Sequence, residues 1–312
     1  MSDMRDGDTR TGDTSSSETR SAMRVTGESA IHDLGYRRYE GVRVGPAGAW
    51  RSLFWQGFRA MFGLGRTAKA KVIPVFVSVV TMGPVFATLS AYSLSQGVVP
   101  IRYGILVGQQ LILFVLFVAA QAPETLSRDQ QHQVLPLILT RDVTRLGYTT
   151  ARFASIVSAT FLVALAPLLL LYIGQIGASP DPAAAFDRMG HHIGPVFAQA
   201  ALTALCIGGI GAALVAWTPR RAYATAAIIG GFLVTAAIAS GMDDIAGMSR
   251  QSAELIDPIR SLRTQAMLFF GETTRGMELR PPISLWWYAA LMTGIGAASA
   301  AILGLRIHRV RA

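Results

Sequence analysis

The chain has 312 residues, 51% of them hydrophobic and 15% charged, with a mean hydropathy of +0.40. A soluble domain of that length rarely combines those values. The net charge of +9 would suit nucleic acid if it were spread over a polar surface. Instead, most basic residues stand beside the ends of long uncharged stretches, which suits anionic lipid headgroups and argues against a nucleic-acid partner.

Residues 1–30 are rich in Ser, Thr, Asp, Gly and Arg with almost no bulky apolar side chains, which predicts a disordered tail. From His32 to Arg43 the chain pairs Tyr36 and Tyr39 with Arg37 and Arg38. That charge run reads as a headgroup-facing or docking segment without chemistry. In WRSLFWQGFRAMF, Trp50 to Phe62, the residues Trp50, Leu53, Phe54, Gly57, Phe58 and Met61 recur at intervals of three and four, while Arg51, Gln56 and Arg59 lie elsewhere. The spacing predicts an amphipathic helix lying in the membrane interface, anchored by Trp50, Phe54, Phe58 and Arg59, with Gln56 on its wet side. Gly63, Gly65, Arg66, Lys69 and Lys71 then form a bend and a basic anchor, closing a cytoplasmic segment 31–71.

Six stretches contain no Asp, Glu, Lys or Arg: 72–101, 103–123, 154–180, 193–219, 222–242 and 281–305. Each is long enough for a helix to cross a hydrocarbon layer of about 30 Å. Backbone groups must be satisfied within each crossing, and the runs lack the polar alternation of barrel strands. The predicted fold is therefore all-α, a polytopic six-helix transmembrane domain over 72–305, followed by a cytoplasmic tail 306–312. With both termini inside, the inner loops next to the crossings carry 14 Arg and Lys and the outer ones 7. The positive-inside rule favours that orientation. No cleavable signal peptide is expected, because the opening 71 residues are polar or amphipathic.

Within the first crossing, Pro74 and Pro84 predict kinks. In the inner loop 124–153, Pro123 and Glu124 predict the start of a short new helix running to about Gln133, with Glu124 and Arg128 paired at i, i+4. The outer loop 243–280 contains Ala266 to Phe270, an apolar run too short to cross. A segment dipping into the outer leaflet under protein cover accounts for it. Small residues repeat at i, i+4 in the fifth run, Ala226 with Gly230 and Ala227 with Gly231, and cluster in the fourth at Gly208, Gly209 and Gly211. Such faces allow close helix approach.

Enzyme signatures are scarce. Gly63-Leu64-Gly65-Arg66-Thr67 lacks the spacing of a phosphate loop and follows no strand. Adjacent His191 and His192 with Asp187 diverge on a helix and have no Cys beside them, so a solvated loop is the reading and no metal site is expected. Ser240-Gly241 has Ile238 where a membrane serine protease needs Gly, and Glu124 with Arg128 has no second Glu beside it. The chain is not expected to be an enzyme. Nor does any carboxylate lie inside the crossings, where an ion-coupled carrier would use one. An energy source outside the bilayer fits better.

The order of elements carries a resemblance. A basic amphipathic helix, six crossings, an inner Glu124-x-x-x-Arg128-Asp129 helix followed by Val134-Leu135-Pro136-Leu137-Ile138-Leu139-Thr140-Arg141, and a long outer loop before the last crossing resemble a type-2 ABC transporter permease. The segment His32 to Arg43 with the helix after it is similar to actinobacterial members of that family. Asp142 stands where the family has a proline after the leucine-rich stretch. The resemblance, over about residues 31–312, implies an exporter subunit in the bacterial cell membrane. It implies pairing with a second permease copy or a homologue, and coupling to separate ABC ATPase subunits that bind the ATP, so this chain would hold no cofactor itself. It also implies that Glu124, Arg128, Asp129 and Gln133 belong to the coupling helix that meets the ATPase. Trp50 to Phe62 would be the connecting helix, and the loop 243–280 would supply short re-entrant helices. A non-transport membrane scaffold or sensor partner is the alternative. The substrate, and the residues that contact it, are not legible.

Overall fold

The computed structural model describes residues 45–131, 138, 143–244, 253–272 and 284–309. The expected tail 1–30, the segment His32 to Arg43, Gln133, Asp142 and most of the leucine-rich stretch lie outside the described residues. Every regular element among the described residues is helical: α1 (Pro46–Met61), α2 (Ala68–Leu94), α3 (Tyr103–Gln131), α4 (Arg145–Gly177), α5 (Pro182–Met189), α6 (Ile193–Thr203), α7 (Gly209–Trp217), α8 (Arg221–Asp244), α9 (Pro258–Phe269) and α10 (Leu285–Arg309).

Six helical stretches are long and apolar enough to cross a membrane: α2, α3, α4, the composite Pro182–Trp217, Arg221–Met242 in α8 and Leu285–His308 in α10. The protein is an all-α polytopic membrane protein. Its spans alternate in direction. At one end, here the α1 end, Ser127 Oγ at the close of α3 donates to Thr218 O before α8 at 2.8 Å, and Arg145 Nη1 at the start of α4 donates to His308 O in α10 at 2.8 Å. At the far end, Tyr103 OH donates to Gln175 Oε1 at 2.6 Å, and the Tyr92 and Ser179 hydroxyls lie 3.1 Å apart.

The core is built around α3. In its most apolar window 67% of residues are buried, as in the composite span, against 22% in α2 and in α8, so those two spans are peripheral and each packs on α3. Glycines set the closest crossings of the composite span. A Cβ on Gly211 would lie 2.2 Å from Val118 Cγ1 of α3, one on Gly209 3.4 Å from Gly296 Cα of α10, and one on Gly208 3.2 Å from Thr160 Oγ1 of α4. The predicted close approach is therefore used within the chain. The span is interrupted twice, by a 3₁₀ turn at Gly190–His192 and a π turn at Ala204–Gly208. In α8, Gly230 has open space beside it and Ala226 is exposed, so that pair points away from the bundle, whereas a Cβ on Gly231 would lie 3.5 Å from Leu214 Cδ1 of α7.

One sequence expectation is corrected in α3. No new helix begins at Pro123; α3 runs unbroken for 29 residues to Gln131 with Pro123 buried inside it. A helical proline leaves the carbonyl four residues earlier without its usual donor. Here that carbonyl, Ala119 O, accepts a 2.8 Å hydrogen bond from Thr225 Oγ1 of α8. A neighbouring helix satisfies what the proline cannot, so the helix continues.

The bend after α1 is fixed by Gly63. Its φ is +66°, and its N–H donates to Ala60 O while Leu64 N–H donates to Arg59 O, the paired bonds of a Schellman cap. A Cβ at Gly63 would lie 2.6 Å from Ala70 O, so the turn folds tightly onto the start of α2.

Candidate functional site

The α1 end gathers the polar side chains that the spans exclude. Asp129, in the last turn of α3, accepts from Arg152 Nη2 at 2.6 Å and from Tyr148 OH at 2.7 Å, both in the second and third turns of α4. Arg152 is 2% exposed, and its guanidinium carbon sits 5.6 Å from the centroid of the Tyr148 ring. A cation this deeply buried requires a partner, because an unpaired buried charge is among the costliest features a fold can hold. The same guanidinium reaches α1, at 3.5 Å from Leu53 O and from Gln56 Oε1. At that crossing a Cβ on Gly57 would meet Ser155 Oγ at 2.4 Å, and Trp50 Nε1 donates to Thr150 Oγ1 at 3.0 Å. Thus α1, the end of α3 and the start of α4 are joined around one ion pair.

A second junction lies one turn earlier on α3. Glu124 forms ion pairs with Arg66, from the turn between α1 and α2, and with Arg221, at the head of α8. Arg66 Nη2 also donates to Glu124 O at 2.9 Å. The carboxylate thus ties the two peripheral spans to the central helix. Beside it opens a cavity of about 660 Å³, lined by Arg66, Lys69, Arg128 and Arg221 together with Glu124, Gln121, Ile73, Gly65, Thr67 and Ala70.

These contacts revise several sequence expectations. Glu124 pairs with Arg66 and Arg221 rather than with Arg128. Arg128 is exposed and has no ion pair among the described residues. Gln56 is exposed but accepts from Arg152, so its side of α1 is not idle. The anchor residues Trp50, Phe54 and Phe58 are half-buried, Trp55 and Arg59 exposed, while Gly57 and Met61 dock on the bundle. Trp50, Phe54, Phe58 and Phe62 form a ladder of rings at 5.5, 6.0 and 5.3 Å that ends on Phe117 of α3 at 5.9 Å. Sequence reasoning missed Arg152, Tyr148, Arg66 and Arg221 as structural partners. The available signal was Arg145, Tyr148 and Arg152 at i, i+3 and i+7, a polar stripe along one helical face.

The far end is organised differently. The run Ala266 to Phe270, expected to dip into the outer leaflet, lies at the end of α9, whose N-cap Asp257 is buried and accepts from Ile259 N at 2.9 Å. Leu262, Ala266 and Met267 are buried, and Cβ atoms on Gly104 and Gly108 of α3 would lie 2.8 Å from Met267 Cα and 3.0 Å from Arg263 Cγ. Glu272 then accepts from Gly104 N at 2.9 Å and Ile105 N at 3.3 Å, which caps the first turn of α3 with an anion. Burial pushes the Glu272 carboxyl above its ordinary range, against the opposing pull of those N–H donors and of Arg102. Tyr103, His192 and Phe270 stack within 6 Å of one another. The His191, His192 and Asp187 set forms no cluster of three metal ligands among the described residues. Deeper in, both amide atoms of Gln265 and Oε1 of Gln199 are buried without a partner, polar atoms left open inside an apolar bundle.

Compared with known proteins, the sequence matches no family model and no curated protein.

Proposed function

We propose that the chain is the permease subunit of an ATP-driven exporter in the bacterial cell membrane, working with a second permease and with separate ATPase subunits at the α1 end. The observation that carries this reading is the Asp129–Arg152 junction, which binds the end of one span, the start of the next and the amphipathic α1 around a single buried pair. A push delivered to the end of α3 would reach α1 and α4 together. Such a unit can transmit force from a soluble motor, because its parts cannot shift independently without separating a buried ion pair. Arg128, exposed beside it, is the side chain offered to such a partner. The largely uncovered faces of α2 and α8 leave room for a second permease copy.

The test is coexpression with a soluble Walker-type ATPase sought in the reading frames next to this chain's. A complex that purifies as one species and drives ATP-dependent efflux from vesicles, both weakened by Arg128→Glu through like-charge repulsion across the contact, supports the reading. Absence of any complex rejects it in favour of a scaffold or sensor partner. Orientation is tested in a Cys206→Ala background. With both termini cytoplasmic, Asp187→Cys reacts with an impermeant thiol reagent on intact cells and Arg128→Cys does not. The reverse pattern overturns the assignment.

A further inference from the structure

The cavity beside Glu124 is polar, and its charge is unbalanced. Four cations, Arg66, Lys69, Arg128 and Arg221, line it with a single carboxylate. Arg66 and Arg221 share that carboxylate, whereas Lys69 and Arg128 are exposed and have no ion pair among the described residues. The surplus is positive, and further positive potential comes from the head of α2. Thr67, the N-cap of this 27-residue helix, makes no side-chain cap, and its first turn holds no acid. Thr67, Lys69 and Ala70 at this helix start line the cavity, so helix dipole and side-chain charge act in the same direction.

An apolar track leads away from this space. Ile73 lines the cavity itself. Along α2, Val72, Val75, Phe76 and Val79 recur at i, i+3, i+4 and i+7 and are 54 to 65% exposed. Four cations at the head of a bare apolar stripe match a ligand with an anionic head and a hydrocarbon tail.

We propose that the cavity binds a phosphate ester, with the phosphate between Lys69 and Arg128 and the ester group in the remaining volume. Glu124 holds Arg66 and Arg221 by ion pairs and limits how much negative charge the cavity accepts. The same phosphate chemistry is available from an anionic phospholipid headgroup, with its acyl chains along Val72 to Val79, or from a soluble phosphate ester. The site requires only this chain and is tested without any ATPase; Arg128 is shared with the proposed ATPase contact, whereas Lys69 belongs to the cavity alone.

The purified chain alone is reconstituted into nanodiscs of phosphatidylcholine doped with phosphatidylglycerol, and retained lipid is counted by native mass spectrometry. The wild type is expected to retain phosphatidylglycerol in preference to phosphatidylcholine. Lys69→Ala and Arg128→Ala are each expected to weaken retention roughly fivefold, the effect of removing one cation near an anionic surface. Lys71→Ala, adjacent in sequence but not lining the cavity, should leave retention unchanged, and Lys69→Arg should restore it. Monodisperse elution of each variant controls for folding. In a second arm, glycerol 1-phosphate is titrated into delipidated protein in detergent. Binding there with the same sensitivity to Lys69 and Arg128, without preference among lipids, assigns the site to a soluble ester. Equal losses in Lys71→Ala and the two cavity variants, or binding in neither arm, would overturn the proposal by reducing the cavity to ordinary headgroup attraction.

Discussion

The two ends of the bundle are held together by different physics. At the α1 end, helices distant in sequence meet through directional charge pairs: Arg66 and Arg221 on Glu124, and Arg152 on Asp129. At the far end, α9 is seated by backbone proximity at Gly104 and Gly108, by stacked rings and by the Asp257 and Glu272 caps. Packing of that kind falls off steeply with separation and favours one arrangement. Of these pairs, the one between Glu124 and Arg221, whose side chain is 58% exposed, can be exchanged at modest cost, whereas the buried Asp129–Arg152 pair cannot. The α1 end thus combines a fixed junction at Asp129 with a looser one at Glu124, while the far end is held by packing.

The sharpest way to break that comparison is at Arg152. Arg152→Met removes the buried cation and leaves Asp129 with only Tyr148. Separating a buried pair in this way costs about 3–5 kcal/mol. We expect the largest drop in thermal unfolding temperature in detergent for this variant. Arg152→Met combined with Asp129→Asn should recover much of the loss, because no charge is then left unpaired. A double variant as unstable as the single one would mean that packing of the Arg152 stem, rather than charge, holds α1 and α4 together.

At the far end the corresponding change is Gly104→Val. Its Cβ would enter the space of the Met267 backbone, and overpacking of this kind costs about 1–3 kcal/mol. The loss should be independent of salt. Glu124→Gln should cost somewhat less, about 1–2 kcal/mol, since it weakens charge-assisted hydrogen bonds to two arginines of which Arg221 is 58% exposed. Its effect should shrink as salt rises, because screening already weakens the pairs in the parent protein. Melting curves of both variants at low and high ionic strength check the contrast. Equal salt dependence would erase the distinction between the two ends.

Much of the fold was legible because the membrane imposes it. Uncharged runs of 21 residues or more placed all six spans, although the helices extend beyond them, α3 to Gln131 and α4 back to Arg145. Pro123 misled because proline's effect on a helix depends on a neighbour, here Thr225, more than a hundred residues away in the chain. The Glu124 partners were illegible for the same reason. Local i, i+4 spacing pointed to Arg128, but a half-buried carboxylate takes the cations that tertiary packing delivers, and Arg66 comes from the turn before α2 and Arg221 from the head of α8. The aromatic face of α1 was readable as a pattern, whereas the division between Gly57 and Met61 on the protein and Trp55 outside it depended on where α4 lies.

The smallest effect, and the most specific to the far end, concerns Glu272. Its carboxyl titrates above the ordinary range because burial outweighs the Gly104 and Ile105 donors. The folded state therefore binds this proton more tightly than the unfolded chain does. Linkage then makes the contribution of Glu272 most favourable below the unfolded carboxyl value, declining as pH rises through the raised folded value and constant beyond it. Glu272→Gln keeps an acceptor for the first-turn N–H groups of α3 and abolishes the titration. Unfolding temperature measured across the weakly acidic range should fall with rising pH more steeply in the parent protein than in Glu272→Gln. The Arg66 and Glu124 junction at the other end contributes equally to both proteins, so the difference between the two curves isolates the cap. Superimposable slopes would show that the N–H donors and Arg102 balance burial, and a steeper fall in Glu272→Gln would show that they outweigh it.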